Sequence, residues 1–280
     1  MTLGFIGLGV MGEPMCRNLA AKSGHRVLAF DLKKASSLPG VGAAASVQEV
    51  GKASEIVFLS LPGAEEVEAV CADLLLHLKR GSCVVDLSTA PVSLARALHG
   101  RFAARGIEFA DAPVARTREA AQKGTLSVMV GGAAATFGRI RPLLACIASD
   151  ITHCGGPGAG QTMKIANNMV LFQNVVALAE ALALVRHAGV DPGLALEVLA
   201  KGSADSFALR NHGMKAMLPN RYPERAFSTG YALKDLGYAL ELAREAGLEL
   251  SGANNARALL QRSAAAGFGA EYFPALAKVI

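Results

Sequence analysis

The sequence predicts an α/β protein with a doubly wound N-terminal sheet (residues 1–158) followed by an all-α C-terminal domain (159–280), joined by a long helix. The first half alternates short apolar runs with helix-length segments, the pattern of strands buried on both faces of a parallel sheet. From about Gly158 onward, strand-like runs disappear and helical patterns follow one another, several ending at glycine. The length of 280 residues suits two domains.

The predicted elements follow from apolar runs bounded by Gly, Pro or polar turns. The predicted strands cover residues 3–7, 26–30, 55–61, 83–88, 107–114 and 126–132. The predicted helices cover 13–24, 65–78, 166–189, 191–202, 228–247 and 254–269. The third of these helices, counted from Gly160, can extend to about 30 residues. It is apolar on all sides, which predicts burial against several partners or another subunit.

The composition excludes several classes of protein. Hydrophobic residues make up 52% and charged residues 18%, so disorder is excluded, and no stretch supplies about 18 consecutive apolar residues for a membrane span. The N-terminus lacks the basic region of a signal peptide. The five cysteines form no CxxC pair, which favours free thiols in a cytoplasmic protein and no metal site. The net charge of +5 is scattered, which favours small anionic partners and no nucleic acid.

A glycine motif directly after the first strand indicates a dinucleotide site. Gly7, Gly9 and Gly12 form a GxGxxG pattern that opens a helix, whose N-terminus can bind a pyrophosphate. The second strand ends at Asp31, 19 residues after Gly12, where a carboxylate can accept from the adenosine ribose. This carboxylate favours NAD, although Lys33 and Lys34 leave NADP open. The predicted cofactor-binding residues here are Gly7, Leu8, Gly9, Val10, Met11, Gly12 and Asp31.

Polar residues near the start of the long helix indicate a site for proton transfer and ligand binding. Lys164, Asn167 and Asn168 have the spacing that puts them on one helix face. Asparagine inside a helix costs a few tenths of a kcal/mol relative to alanine. This cost is understandable if the side-chain amides bind a ligand. A lysine near the positive end of the helix dipole should have a lowered pKa, which suits a proton donor or acceptor beside a nicotinamide. The alternative is a solvated lysine followed by two capping asparagines.

Six motifs occur in an order that resembles the β-hydroxyacid dehydrogenase family, which includes 3-hydroxyisobutyrate dehydrogenase. They are GFIGLGVMGEPM, LP at 61–62, DLST at 86–89, DAPV followed by GTLSVMVGG, GPGAGQTMKIANN, and LKDL at 233–236. The resemblance covers nearly the whole chain. It implies a Rossmann domain, a helical C-terminal domain and a homodimer or homotetramer.

The resemblance also implies roles for single residues. The family's catalytic lysine falls on Lys164, and its substrate-binding asparagines fall on Asn167 and Asn168. Thr89 would lie by the nicotinamide and help to hold the anionic end of the substrate. The remaining cofactor contacts would come from Leu61, Pro62 and Lys234.

One motif departs from the family pattern. Many relatives read DAPVSGG where this chain has Ala115, Arg116 and Thr117 after DAPV. Sulfolactaldehyde reductases carry a similar Arg-Thr pair, and a guanidinium can bind a carboxylate or sulfonate through two N–H bonds. We therefore expect residues 115–117 to bind a substrate with a strong or second anionic group, such as 3-sulfolactaldehyde. In the alternative, Arg116 points outward or pairs with a local carboxylate such as Glu119.

Two other functions share this architecture. One is an imine reductase, and the other is a catalytically inactive nucleotide-binding protein. Relatives of both kinds generally lack the lysine, so Lys164 favours a dehydrogenase over either of them. His153 lacks partners for a metal site, and we expect it to be structural.

Overall fold

The computed structural model describes residues 1–33, 38–224 and 226–280, so Lys34 lies outside the described residues. The chain divides into two compact units, residues 1–164 and 165–280. The boundary predicted at 158/159 lies at the start of the long helix, whereas this division falls inside the helix.

Within the described residues, one sheet of nine strands forms the first unit in the order β3-β2-β1-β4-β5-β6-β8-β7, with β9 beside β8. The pairs from β3 to β6 are parallel, as expected, but β8 runs antiparallel to β6 and β7. The strands are β1 (Thr2–Ile6), β2 (Arg26–Phe30), β3 (Val41–Ala43), β4 (Ile56–Leu59), β5 (Cys83–Asp86), β6 (Glu108–Asp111), β7 (Val114–Ala115), β8 (Leu126–Gly131) and β9 (Ala148–Gly155).

The strand predicted over 107–114 is two strands, β6 and β7, with Pro113 between them. Proline has no N–H for a sheet ladder, and the chain changes direction here, so that β7 pairs with β8. The loop at 115–117 begins at the end of β7 and leads into the helix Arg118–Lys123.

In the part of the first unit that the structure describes, six helices before the long helix cover both faces of the sheet. Their apolar side chains form one core around Phe5, Met15 and Val85, and a second around Val57 and Phe102. The helices are α1 (Gly12–Lys22), α2 (Val47–Ala53), α3 (Ala64–His77), α4 (Val92–Ala103), α5 (Arg118–Lys123) and α6 (Ala134–Leu144).

The long helix α7 covers Ala159–His187, 29 residues, and the described part of the second unit is helical. Three phenylalanines, Phe172, Phe227 and Phe273, stack or meet edge to face in its core. After α7 come α8 (Pro192–Lys201), a π-helical segment (Leu209–Met217), α9 (Thr229–Glu245), α10 (Ser251–Ser263) and a 3-10 helix (Phe273–Val279).

Among the described residues, α7 is the one helix long and apolar enough to cross a membrane, by length and composition alone. The sequence prediction excluded any such span. Its most apolar stretch has a mean hydropathy of 1.7, and 39% of that stretch is buried. A core helix of a soluble protein passes the same test, so this is weak evidence for a membrane.

Candidate active site

The glycine loop after β1 has the geometry of a phosphate-binding turn. Gly7 has φ +96°, and a Cβ there would lie 2.2 Å from the Ser60 carbonyl oxygen. A Cβ on Gly12 would lie 2.0 Å from the Gly7 oxygen, so these two positions exclude side chains. A Cβ on Gly9 would meet nothing within 4 Å, which leaves open space for a pyrophosphate at the start of α1. The residues therefore fit a dinucleotide.

Asp31 is tied to that loop through the main chain. Its Oδ2 accepts from the Leu8 N–H at 2.6 Å, and its Oδ1 accepts from the Lys33 N–H at 2.8 Å. The carboxylate thus lies beside the glycine loop, as the spacing predicts for a ribose-binding acid. The Leu8 side chain is buried and Met11 packs against the core, so these two could serve a cofactor mainly through their backbone. Val10 is half-exposed.

Hydrogen bonds connect the turns that follow β4 and β5. The Leu61 N–H donates to Ser88 Oγ at 2.9 Å, and the Ser88 N–H donates to Asp86 Oδ1 at 2.9 Å. Pro62 is exposed next to Leu61, and Thr89 is partly buried next to Ser88. The predicted cofactor residues 61–62 and the predicted substrate residue Thr89 therefore lie on two linked turns.

Gln161, in the first turn of α7, holds the turn that carries Thr89. Its Nε2 donates to the Ser88 carbonyl oxygen at 2.8 Å, and its Oε1 accepts from the Ala90 N–H at 3.1 Å. Gln161 is completely buried, so both bonds form away from water. Sequence reasoning missed this residue. The available signal was its position inside the GPGAGQTMKIANN motif, three residues before Lys164.

Asp111, at the end of β6, binds the same helix start. Its Oδ1 accepts from the Gly158 N–H and its Oδ2 from the Gln161 N–H, each at 2.8 Å. Burial raises the pKa of Asp111, and the N–H donors of Gly158 and Gln161 act in the opposite direction. A Cβ on Gly160 would lie 2.4 Å from the Met129 carbonyl oxygen, so the helix start contacts the sheet backbone directly.

Lys164 stands one helical turn beyond this anchored segment. It lies three residues after Gln161 on α7 and is partly buried. Residues three apart share a helix face, so the anchoring of Gln161 also fixes the base of the lysine side chain. The lowered pKa expected for Lys164 stays a prediction.

The asparagines form a second polar group on α7, within the second unit. Asn167 Nδ2 donates to Asn168 Oδ1 at 3.1 Å, and Asn168 Nδ2 donates to Asp235 Oδ2 at 2.7 Å. The other oxygen of Asp235 lies 2.9 Å from Lys234 Nζ. Asn168 and Asp235 are buried, whereas Lys234 keeps a quarter of its side chain exposed. Its predicted contact with the cofactor stays a prediction.

The Arg116 side chain, in the loop at 115–117, binds groups within the first unit. The Arg116 guanidinium donates to Thr125 O and Ser149 Oγ, and it lies 2.8 Å from Asp150. Contact of this side chain with a substrate stays a prediction. The local ion pair of the alternative forms with Asp150, whereas Glu119 pairs with Lys123.

The neighbours of Arg116 have structural contacts of their own. Glu119 pairs with Lys123 at 2.6 Å, one turn along α5. Thr117 caps the N-terminus of α5, since its Oγ1 accepts from the Ala120 N–H, and Ala115 is buried in β7. His153 Nε2 lies 2.9 Å from the Gly132 carbonyl oxygen, and its ring stacks on Phe137.

A glycine loop beside an acid, at the carboxyl edge of a doubly wound sheet, is typical of a protein that binds a dinucleotide cofactor. Two family models match the chain. Residues 2–156 match the NAD binding domain of 6-phosphogluconate dehydrogenase, and residues 158–280 match the NAD-binding domain of NADP-dependent 3-hydroxyisobutyrate dehydrogenase.

Individual relatives agree with these matches. The 2-(hydroxymethyl)glutarate dehydrogenase of Eubacterium barkeri is 38% identical, over 99% of this chain and 94% of that protein. The 3-hydroxyisobutyrate dehydrogenase of Pseudomonas aeruginosa is 38% identical, over 85% and 84%. The solved structure of Mycobacterium tuberculosis 3-hydroxyisobutyrate dehydrogenase with L-serine has a TM-score of 0.90 at 32% identity, over 99% of this chain and 98% of that one.

The chain belongs to the β-hydroxyacid dehydrogenase family, which confirms the resemblance seen in the sequence. It is an NAD(P)-dependent dehydrogenase with a Rossmann domain followed by a helical domain.

Proposed function

We propose that this enzyme interconverts a short 3-hydroxy acid and its semialdehyde, with Lys164 as the general acid and base. The observation that carries the proposal is the double anchoring of the α7 start by Asp111 and Gln161. It ties the helix that bears Lys164 to the turn that bears Thr89. Bound NAD(P) would supply or accept the hydride through its nicotinamide ring, and the glycine loop would hold its pyrophosphate.

In this proposal, the protein moves one proton and orients the substrate. Lys164 Nζ donates a proton to the carbonyl oxygen during reduction and takes the hydroxyl proton during oxidation. Asn167 and Asn168 hold the reacting oxygen, and Thr89 with the loop at 115–117 holds the carboxylate. Asp31 accepts from the ribose hydroxyls and favours NAD over NADP, because its charge repels a 2′-phosphate.

The relatives' names support a substrate class. 3-Hydroxyisobutyrate, 2-(hydroxymethyl)glutarate and L-serine all carry a hydroxymethyl group on the carbon next to a carboxylate. We propose that this unit is what the present enzyme recognises. The contacts of Arg116 with Asp150 give no support to a sulfonate substrate, which therefore serves as a contrast in the assay.

The test is a turnover assay that follows nicotinamide absorbance. The panel contains the three acids named above and 3-sulfolactaldehyde, each with NAD(H) and NADP(H). It also contains glycolate, which lacks the carbon between the hydroxymethyl group and the carboxylate. We expect turnover of at least one hydroxymethyl acid with NAD, and slower turnover with NADP. Binding of NAD(H) without turnover of any compound would instead favour an inactive nucleotide-binding protein.

We also propose a cytoplasmic homodimer or homotetramer. All five cysteines are free thiols, which suits a reducing compartment. Apolar side chains on α7 and α8 are exposed, including Leu184 at 69% and Val198 at 59%, and a partner subunit would cover them. Light scattering at several protein concentrations tests the assembly, and a monomer at all of them would contradict it.

A further inference from the structure

Arg116 holds a backbone conformation that normally belongs to glycine. Its φ is +88°, in the region that side chains disfavour. Among the described residues, Asn220 is the one other non-glycine position with positive φ, and asparagine tolerates that region far better than arginine. The loop therefore combines a glycine-type backbone with a long side chain.

The guanidinium spans from this loop to two strands. Nη1 donates to the Thr125 carbonyl oxygen at 2.8 Å, just before β8, and to Ser149 Oγ at 2.9 Å in β9. Nη2 lies 2.8 Å from Asp150 Oδ2, and Ser149 Oγ donates to the same oxygen at 2.7 Å. The hydrogen bonds from Ser149 and Arg116 lower the pKa of Asp150, so the carboxylate stays charged.

We propose that Arg116 is a positioning residue: its bonds to Thr125, Ser149 and Asp150 hold the loop at 115–117 in the positive-φ conformation. The backbone of the loop, and not the guanidinium, then meets the carboxylate of the substrate. The inference rests on the proposed function, because it assigns the loop to the substrate site. It accounts for two facts together, a strained backbone at Arg116 and a side chain whose charge is already paired.

A direct substrate contact predicts a different response to mutation. If the guanidinium bound substrate, removing Asp150 would release it and strengthen binding, and glycine at 116 would lose the contact as fully as alanine. If Arg116 positions the loop, glycine restores the conformation without a side chain, since it adopts positive φ freely. Alanine lacks both the hydrogen bonds of the guanidinium and the freedom of glycine to adopt positive φ.

The experiment compares Arg116→Gly, Arg116→Ala and Asp150→Ala with wild type, using a hydroxymethyl acid that wild type converts. We expect KM to rise about five- to tenfold in Arg116→Ala and about two- to fivefold in Asp150→Ala, with kcat within about twofold. Arg116→Gly should keep KM within about twofold. Lys123→Ala, which removes a nearby exposed ion pair on α5, serves as the control and should match wild type.

Amide hydrogen exchange of residues 114–118 gives a readout that does not depend on activity. Exchange should speed up by roughly tenfold in Arg116→Ala and Asp150→Ala, because the loop opens locally more often without the bonds of Arg116. Three results would each overturn the inference. They are an equal rise in KM in Arg116→Gly and Arg116→Ala, an unchanged or lower KM in Asp150→Ala, and unchanged loop exchange in both Arg116→Ala and Asp150→Ala. Failure of wild type to convert any hydroxymethyl acid would instead remove the proposed function.

Discussion

Two polar clusters lie along α7, and they are built differently. The anchor cluster consists of Asp111 and Gln161, whose side chains bind main-chain atoms of the helix start and of the turn at 88–90. The asparagine cluster consists of Asn167, Asn168, Lys234 and Asp235, in which side chains bind one another. The first fixes where the helix lies, and the second fixes how a few polar groups are oriented.

One cluster bonds to main-chain atoms and the other to side chains. This difference predicts which cluster controls stability and which controls substrate binding. Bonds to buried main chain leave an unsatisfied backbone group when they are lost, so the anchor cluster should affect both folding and the geometry at Lys164. In the asparagine cluster, Asn168 and Asp235 are buried, but Asn167 is exposed and Lys234 is partly exposed, so water can replace some of the bonds that are lost. The asparagine cluster should therefore mainly affect the affinity for the substrate.

The largest expected effect comes from Lys164 itself, which lies between the clusters on the helix. Lys164→Ala should lower kcat about 10²–10⁴-fold, because it removes the proposed general acid and base, while the Kd for NADH stays nearly constant. Steady-state kinetics and cofactor titration measure the two quantities. Lys201→Ala, an exposed lysine at the end of α8, is the matched control. A fall of less than threefold in Lys164→Ala would remove the proposed mechanism.

Gln161→Ala should have the next largest effect. It leaves the Ser88 oxygen and the Ala90 N–H without their buried partner, which should lower the free energy of unfolding by about 1–3 kcal/mol. A small displacement of the catalytic group should lower kcat about 10–10²-fold. Urea unfolding and kinetics measure both changes, with the exposed Gln122→Ala as control. Loss of activity without loss of stability would contradict the anchoring role.

Asp235→Asn should have a smaller effect, mainly on KM. Asparagine can still accept from Asn168 but no longer pairs with the charge of Lys234. We expect KM to rise about three- to tenfold, with stability within about 1 kcal/mol of wild type because Lys234 is partly exposed. A loss of stability larger than that of Gln161→Ala would reverse the comparison between the two clusters.

Much of this arrangement was predictable from local sequence. The glycine loop, Asp31 and the spacing of Lys164, Asn167 and Asn168 follow from short motifs, because their geometry is set within one turn or one β–α unit. The strands β3 and β9 were missed for a physical reason. β3 has three residues, and β9 reads ASDITHCG, with few apolar side chains and several exposed positions.

The partners of the site residues were not predictable. Gln161 and Ser88 are 73 residues apart, and Arg116 and Ser149 are 33 apart, so only the folded sheet brings them together. For Arg116, sequence reasoning weighed the carboxylate nearest along the chain, Glu119. The structure provides one on a neighbouring strand instead, Asp150. A charged side chain in a loop has many possible partners, and local spacing does not select among them.

Substitution of His212 should have the smallest effect on activity, because this residue lies in the second unit outside both clusters. It therefore tests whether control of substrate binding is confined to the asparagine cluster. Burial, followed by the charge of Lys215, lowers its pKa to about 4, and the Tyr272 hydroxyl hydrogen-bonds to its Nδ1. An unfolded histidine titrates near 6.5. Between these values the unfolded state takes up a proton that the folded state does not. The free energy of unfolding should therefore fall as the pH drops from about 6.5 to about 4, by at most about 1.4 kcal/mol per pH unit.

His212→Asn isolates this contribution, since the asparagine side-chain oxygen takes the place of Nδ1 and can still accept from Tyr272 but does not titrate. The difference between wild type and variant in urea unfolding should change with pH below about 6.5 and be constant above it, because other titrating groups cancel. Turnover near neutral pH should stay within about twofold of wild type, since His212 is a member of neither cluster and is neutral there. A difference in stability that is independent of pH would mean that the histidine is not buried as described. A loss of turnover as large as that of Asp235→Asn would mean that polar groups across the second unit, and not the asparagine cluster alone, determine substrate binding.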